Sequence, residues 1–381
     1  MDKVAKIPNK FHSKGEICSF LEDHMANTYE KIKDEGEYEY GKNLVKTYVI
    51  ESNYDDVKAF FNSLNGKSIV KWKKVGADAF ILDYKKEDLG VNFYIDAVNP
   101  RFWAFHTISS AKDTDSVINK MVQPMMSRLD TLWLDRTMLQ EIRIEHADYI
   151  KSIGIQYKYG DVFPSADFGD SFSLRANGTP SEILMKIFLE DPELSNLFAL
   201  SSVGFKKNLN TNDELETYHL LIEDVNYQGK FTVKGTTINE HFSTISEIRD
   251  NYEKILNEIE HEYNISYKPV GGGFTIHGGP LCIDLKKKIE NLQKFIQTVF
   301  TAREPFRLSG FPTKVDSDTY LISGLDLHNG DDFRLEITPE WIRVYLPKDA
   351  CGNTVMRFLC NLQRYYDPNA SLEGMNNGRI I

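Results

Sequence analysis

The sequence predicts an α+β protein of three consecutive modules, each with the order strand, helix, antiparallel meander, helix, behind an N-terminal helical arm. Two observations lead to this fold class. Stretches of alternating apolar and polar residues end at Gly, Pro or Asn turns, and apolar residues three or four positions apart follow clear helix starts. The same order recurs at intervals of roughly 85–90 residues without a shared residue motif, so the repetition is one of pattern.

Residues 218–263 show the pattern best. A strand leads through a turn at Gly229 into a second strand, in which apolar and polar residues alternate. Thr237 and Glu240 then have the spacing of a helix capping box. Behind them, one apolar stripe predicts a long helix on a sheet face: Phe242, Ile245, Ile248, Tyr252, Ile255, Ile259 and Tyr263.

The chain before this stretch divides into an arm and a first module. Residues 1–41 form the arm, which is expected to be helical and to dock on this chain or on a partner. Residues 42–164 form the first module with its connector. Its expected elements are a strand at 45–51, a helix at 52–64, strands at 68–73, 77–84, 91–98 and 101–107, a helix from 114, a short strand at 131–134 and a helix at 136–150.

The second module covers residues 165–268 and the third covers residues 269–381, including a loose tail from 367. In the second, Thr179 and Glu182 predict another capping box with proline at the first helical position. The expected strands are 171–175, 197–206, 218–225 and 230–234 in the second module, and 281–285, 306–310, 319–327, 333–337 and 341–346 in the third.

This element order resembles the TATA-binding-protein-like and helix-grip folds, in which a curved antiparallel sheet cradles a helix. The likeness is one of topology. Proteins with such folds bind nucleic acid, small molecules or other proteins, so the resemblance implies an architecture and leaves the function open.

Composition limits the classes of function. The 381 residues have room for two or three domains of about 100–200 residues each. A net charge of −11 disfavours general adhesion to nucleic acid or anionic lipid. The four scattered cysteines favour reduced thiols in a cytoplasm, and we expect neither a metal nor a cofactor. The polar N-terminus and the lack of a long apolar run predict neither a signal peptide nor a membrane span.

The first candidate site is the sheet face expected to lie opposite the helices. Alternating aromatic and cationic residues on an open sheet can stack on bases and contact phosphates. A neighbouring unit or a protein partner can equally cover such faces. The residues are Arg101, Trp103 and Phe105, extended by Lys71, Lys73 and Lys74; then Lys230, Thr232 and Lys234; and then Trp341, Arg343 and Tyr345.

The second candidate site resembles a nuclease centre. Asp83 and Lys85 have the Asp-x-Lys spacing that holds a metal and orients a water in one nuclease class. Such a site needs a further carboxylate, which Asp55, Asp56 or Asp78 would supply. The alternative is a solvated strand end, because such triplets arise often by chance in a chain this rich in charge.

Two further features have ordinary structural interpretations. The glycine-rich residues 270–280 match no phosphate-binding fingerprint and predict a flexible link. The nine histidines form no metal-binding motif, and His106, His219 and His241 are expected to pack in elements or lie at the surface.

The leading functional hypothesis is a non-catalytic interaction or scaffold subunit of a cytoplasmic multi-protein complex. It would bind other proteins through its sheet faces, with nucleic acid as a second class of partner. A bacterial assembly that acts against phage or foreign DNA is one context for such a subunit. The alternatives are a metal-dependent nuclease or hydrolase centred on Asp83 and Lys85, and a helix-grip pocket for a small apolar ligand.

Overall fold

A computed structural model describes residues 5–35, 43–64, 69–86, 89–124, 126–163, 171–209, 219–374 and 378–380. This part of the chain is mixed α+β with antiparallel sheets, which confirms the α+β part of the predicted fold class. Its ten α-helices are α1 (Lys14–Glu35), α2 (Val57–Leu64), α3 (Ala111–Val122), α4 (Arg136–His146), α5 (Tyr159–Val162), α6 (Pro180–Glu190), α7 (Pro192–Leu197), α8 (Ile238–Glu258), α9 (Leu292–Val299) and α10 (Asn353–Tyr365). A π-helical turn at Ile259–Tyr263 follows α8. None of these helices combines the length and apolar character required to span a bilayer.

Twenty strands accompany these helices in the described ranges. They are β1 (Val45–Ser52), β2 (Ile69–Lys74), β3 (Ala79–Lys86), β4 (Leu89–Asp96), β5 (Phe102–Thr107), β6 (Leu129–Thr131), β7 (Tyr149–Tyr157), β8 (Phe172–Asn177), β9 (Ala199–Leu209), β10 (His219–Asn226), β11 (Lys230–Gly235), β12 (Ser266–Val270), β13 (Gly273–His277), β14 (Leu281–Asp284), β15 (Leu308–Lys314), β16 (Tyr320–Asp326), β17 (Asp332–Ile337), β18 (Trp341–Tyr345), β19 (Ser371–Gly374) and β20 (Gly378–Arg379).

Contacts divide the chain into two compact units. Unit 1 consists of Met1–Leu132, Arg143–Lys151 and Gly204–Arg249, and unit 2 consists of Trp133–Ile142, Ser152–Val203 and Asp250–Ile381. The chain passes from one unit to the other several times, so neither unit is a continuous segment. The division into three modules and the likeness to helix-grip folds stay predictions.

Unit 1 is built on a sheet with the strand order β2-β3-β4-β5-β1-β11-β10. Strand β1 lies at its centre, with all eight residues buried, and pairs antiparallel with β5 and β11. Helices α2 and α3 cover one face, because their apolar stripes meet the apolar side of the pleated strands. This core includes Phe60, Phe61, Phe80, Leu82, Phe93, Trp103, Phe105, Val117, Ile118 and Met121.

The opposite face of the same sheet is also covered. Ile17, Leu21 and Met25 of α1 pack there with Val233 of β11 and Ile238 at the start of α8. The N-terminal arm therefore docks on this chain, which is one of its two expected partners. Because helices lie against both faces, the side chains of the central strands are internal whichever way they point.

A chain of buried polar side chains crosses this second face. The hydroxyl of Thr47 lies 2.8 Å from His106 Nδ1 and 2.8 Å from His241 Nε2, and His241 Nδ1 lies 2.7 Å from Glu223 Oε1. All four side chains are buried. Burial, and next the neighbouring His241, lowers the pKa of His106 from 6.5 to about 3. His106 is therefore neutral in the folded protein at ordinary pH.

Unit 2 contains a seven-stranded sheet with the order β15-β16-β17-β18-β14-β19-β20. Its inner face is apolar, with Ile283, Leu335 and Val344 buried, and Phe358 of α10 packs there. Residues 281–345 thus repeat the order found at 45–107, a strand, a helix and a four-stranded meander whose last strand pairs with the first.

Several local predictions are wrong. The predicted helix 136–150 ends at His146 and is followed by strand β7 from Tyr149, and the short strand predicted at 131–134 lies at Leu129–Thr131. Residues 270–280 do not form a link, since β12 and β13 pair as a hairpin around Gly271 and Gly272. The tail is not loose throughout, because β19 pairs with β14. The hydroxyl of Thr179 makes no capping hydrogen bond, although α6 does begin at Pro180.

The core position of Phe105 leads to the first prediction. We expect Phe105→Ala to lower the free energy of unfolding by roughly 3–5 kcal/mol, because a fully buried ring leaves a cavity when it is removed. Trp72→Ala is the control, since the Trp72 side chain is 41% exposed and its loss creates no closed cavity. Urea unfolding followed by circular dichroism measures both variants, and equal losses would contradict the assignment of Phe105 to the core.

The neutral state of His106 leads to the second prediction, which concerns the pH dependence of stability. The unfolded chain takes up the imidazole proton below pH ~6.5, whereas the folded chain does so only near pH 3. The free energy of unfolding should therefore fall as the pH drops from about 6.5 towards 3, by about 1.4 kcal/mol per pH unit from this group. Urea unfolding of the wild type and of His106→Gln measures that slope.

The slope should be shallower in His106→Gln, because the unfolded variant has no imidazole at this position to take up a proton. Equal slopes in the wild type and His106→Gln would show that His106 takes up its proton in the folded protein as readily as in the unfolded chain.

Candidate functional site

The first predicted face, on β5, is internal. Trp103 and Phe105 are 2% and 1% exposed, and their ring centroids lie 5.8 and 6.1 Å from that of Phe60 on α2. The expectation that this face lies opposite the helices is wrong, because α2 and α3 cover it. Arg101 precedes the strand, and its Nε donates a hydrogen bond to Glu51 Oε1 at 2.8 Å. The guanidinium of Arg101 therefore forms an ion pair with the buried carboxylate of Glu51.

The lysines of β2 do not extend an aromatic patch. Lys73 donates from Nζ to the carbonyl oxygen of Phe11 at 2.8 Å, which ties down the segment before α1. Lys71 is an exposed cation on an edge strand, directly across from Asp83. Lys74 is exposed, with its Nζ 6.0 Å from the ring centroid of Phe80.

The residues of the predicted nuclease centre are not gathered around a common point. Asp83 accepts a hydrogen bond from the side-chain amide of Asn9, and Lys85 is exposed. Of the three carboxylates expected to help, Asp55 and Asp56 precede α2 and Asp78 precedes β3. Among the described residues no group of three or more His, Cys, Asp and Glu side chains is arranged to hold a metal ion.

The second predicted face, on β11, carries a compact polar cluster. Lys230 Nζ lies 2.7 Å from Asp115 Oδ1 and 5.5 Å from the ring centroid of Tyr48, whose hydroxyl donates to the same carboxylate. Burial, and next the charge of Lys230, lowers the pKa of Lys46 to about 7. Lys234 is half-buried. The charge of Lys230 is thus neutralised within unit 1.

The third predicted face, on β18, lies on the open side of the unit 2 sheet. The antiparallel register places Trp341, Arg343 and Tyr345 together, while Ile342 and Val344 point into the core. We call this side the outer face. By register it also carries Cys282 and Asp284 of β14, Asp332, Arg334 and Glu336 of β17, Leu321, Ser323 and Leu325 of β16, and Phe311 and Thr313 of β15.

One carboxylate organises the centre of the outer face. Glu336 Oε2 accepts a hydrogen bond from Arg343 Nη1 at 3.1 Å and another from the Tyr345 hydroxyl at 3.1 Å. The guanidinium of Arg343 lies 4.2 Å from the ring centroid of Trp341, in the geometry of a cation–π contact. Burial, and next the hydrogen bond to Glu336, raises the pKa of Tyr345, so its hydroxyl stays a donor. The four side chains therefore form a fixed array.

Beside this array lies a groove of about 740 Å³. Its walls include Ile265, Phe311, Leu325 and Tyr345, and the Phe311 side chain is 83% exposed. Arg334 also lines the groove and makes no ion pair within the described residues. A volume of this size falls within the roughly 300–1,000 Å³ of ligand pockets, and apolar walls with a few polar groups are their usual lining.

Sequence reasoning missed the second wall of the groove. Tyr267, which lines the groove, lies on β12 of the hairpin, just before residues 270–280 of the predicted link. The signal was present, since alternating apolar residues flank a Gly-Gly turn in residues 266–277. The glycines alone predict a link, whereas the alternation on both sides of them predicts a hairpin.

Comparison with known proteins identifies relatives along nearly the whole chain. Residues 5–381 match the family model described as MJECL33-like protein. The uncharacterized protein MJECL33 of Methanocaldococcus jannaschii is 33% identical over 402 residues, which cover 96% of this chain and 95% of that protein. No solved structure matches. The chain therefore belongs to the MJECL33-like protein family.

Proposed function

We propose that this protein is a non-catalytic interaction subunit that binds another protein through the outer face of the unit 2 sheet. The observation that supports this most is the groove of about 740 Å³, whose apolar walls stand beside the fixed array of Trp341, Arg343 and Tyr345. Exposed apolar surface of this kind on a folded protein commonly marks an interaction site.

A protein partner is favoured over nucleic acid by the state of the cations. Arg101, Lys230 and Arg343 each pair with a carboxylate of this chain, so their charges are already compensated. Binding to a phosphate backbone depends on uncompensated Lys and Arg side chains. The overall charge of −11 would further oppose approach to a polyanion.

The lining of the groove specifies the chemistry of the partner. A large apolar or aromatic side chain would bury against Phe311 and Leu325. A carboxylate next to it would meet the guanidinium of Arg334 in a charge-assisted pair. We therefore propose an extended or loop segment of another protein that carries an aromatic residue close to an acidic one.

We further propose that this interaction takes place in a cytoplasmic multi-protein complex. All four cysteines are free thiols, which suits a subunit of a cytoplasmic complex. The three-module, helix-grip-like organisation would give such a subunit sheet and helix surfaces for several partners. Bacterial defence is the biological process in which we propose that such a complex acts.

Selection of peptides from a displayed library on the purified protein tests the groove. We expect enriched sequences with an aromatic residue near Asp or Glu. Phe311→Ser and Arg334→Ser should each weaken their binding roughly tenfold or more, since each removes about 1.5–3 kcal/mol of contact. Fluorescence anisotropy of a labelled peptide measures the loss.

Lys314→Ser is the control for these variants, because Lys314 is exposed on the same strand outside the groove. Peptides that bind all three variants as well as the wild type would contradict the proposal. Tight binding of single-stranded DNA or RNA at low salt would replace the protein partner with nucleic acid.

The nuclease hypothesis has a direct test of its own. Because no carboxylate cluster surrounds Asp83 in the described residues, we expect no cleavage of mixed DNA and RNA with Mg²⁺ or Mn²⁺. Gel electrophoresis after long incubation measures the products. Cleavage that disappears in Asp83→Ala would establish the enzyme, and cleavage that survives in Asp83→Ala would assign it to other residues.

A further inference from the structure

The hairpin Ser266–His277 has two chemically different faces. Tyr267 lies opposite Ile276 and Pro269 lies opposite Phe274, so these four residues form one apolar face. The other face carries the pair Lys268 and Thr275. Tyr267, Phe274 and Ile276 are 66%, 75% and 68% exposed. A two-stranded sheet is thus displayed with its apolar side uncovered.

The exposed apolar face of this hairpin would be stabilised by a packing partner. An isolated two-stranded hairpin is marginally stable at best in water, and it gains stability when its apolar face packs on something. Within the described residues β12 and β13 pair only with each other. The apolar face presents roughly 450–500 Å² per copy, at the size of the largest patches that monomeric proteins expose.

The distribution of charge in the sequence limits which molecule can pack on the apolar face of the hairpin. The chain has 56 acidic and 45 basic residues, so two copies repel over most of their surfaces. Yet no Asp or Glu occurs between Glu262 and Asp284, and the hairpin's single lysine is on its other face. This is therefore a place where two acidic copies can meet without opposing like charges.

We infer that a second copy of this chain covers the hairpin, with the apolar faces of the two hairpins packed against each other about a two-fold axis. A two-fold contact uses the same patch twice, which an uncharged apolar face permits. Two faces together bury roughly 1,000 Å², the lower bound for a specific interface. Sheets packed face to face stand about 10 Å apart, which suits interdigitated rings.

The apolar face and the groove share Tyr267, which belongs to the hairpin and also lines the groove. The residues that test the two contacts differ, because Phe274 and Ile276 do not line the groove and Phe311 and Arg334 do not belong to the hairpin. The dimer inference therefore goes beyond the proposed function, and either can fail while the other holds.

Sedimentation velocity and light scattering over a wide concentration range test the inference. The full chain should have twice its monomer mass of 43.8 kDa. The double variant Phe274→Ser, Ile276→Ser should weaken the dimer by roughly 100-fold or more, because it removes most of the apolar face. The matched double variant Lys268→Ser, Thr275→Ser alters the other face of the same hairpin and should leave the dimer intact.

Far-UV circular dichroism of both double variants confirms that they fold. A wild type that is monomeric at every concentration would overturn the inference, as would a dimer that Phe274→Ser, Ile276→Ser leaves unchanged. Binding of the selected groove peptides is measured on the same samples. Peptide binding by a monomeric protein would leave the proposed function standing without the dimer.

Discussion

The constraint on which this structure depends is the covering of sheet faces. Side chains alternate between the two faces of a strand, so each residue's surroundings follow from what packs on its side. In unit 1, α2 and α3 cover one face and α1 and the start of α8 cover the other, so β1 is buried along its whole length. In unit 2, the seven-stranded sheet buries Ile342 and Val344 and leaves Arg343 and Tyr345 on an open side. The same alternation thus produces a closed core in one unit and a binding surface in the other.

This constraint also explains how far the sequence could predict the site. Alternation correctly groups Trp103 with Phe105 and Trp341 with Tyr345, because it needs only the local period of the strand. It does not say which group a helix will cover, since that depends on elements distant in the sequence. The most aromatic row, on β5, is therefore core, and the row on β18 is surface. Many strands and helix starts are predictable for the same local reason. Strand β7 and the hairpin at 266–277 are not among the predicted elements, because a helical pattern and a run of glycines obscure them.

The pairing of charged side chains also differs between the closed sheet of unit 1 and the open sheet face of unit 2. Arg101 pairs with the buried Glu51, and Lys230 with Asp115, so cations near the unit 1 sheet are neutralised where they stand. On the outer face of unit 2, Glu336 holds Arg343 and Tyr345 in place, and Arg334 is left without an ion pair within the described residues. An acidic protein that compensates its cations in this way presents little attraction for a polyanion. The outer face of unit 2 instead exposes apolar side chains beside the positive charge of Arg334, a combination typical of protein interfaces.

The buried polar chain of unit 1 shows why residue types alone do not make a catalytic site. Glu223, His241 and Thr47 follow one another in the order carboxylate, imidazole, hydroxyl, as in a nucleophilic triad. Catalysis requires that the hydroxyl reach a substrate, but Thr47 is wholly buried and contacts a second imidazole, His106. A hydroxyl has one proton to donate and two lone pairs that accept, so Thr47 can hydrogen-bond both imidazoles inside the core. The contact between Thr47 and His106 joins β1 to β5, and His241 of α8 joins Thr47 on β1 to Glu223 on β10, so these side chains tie the central strands to α8.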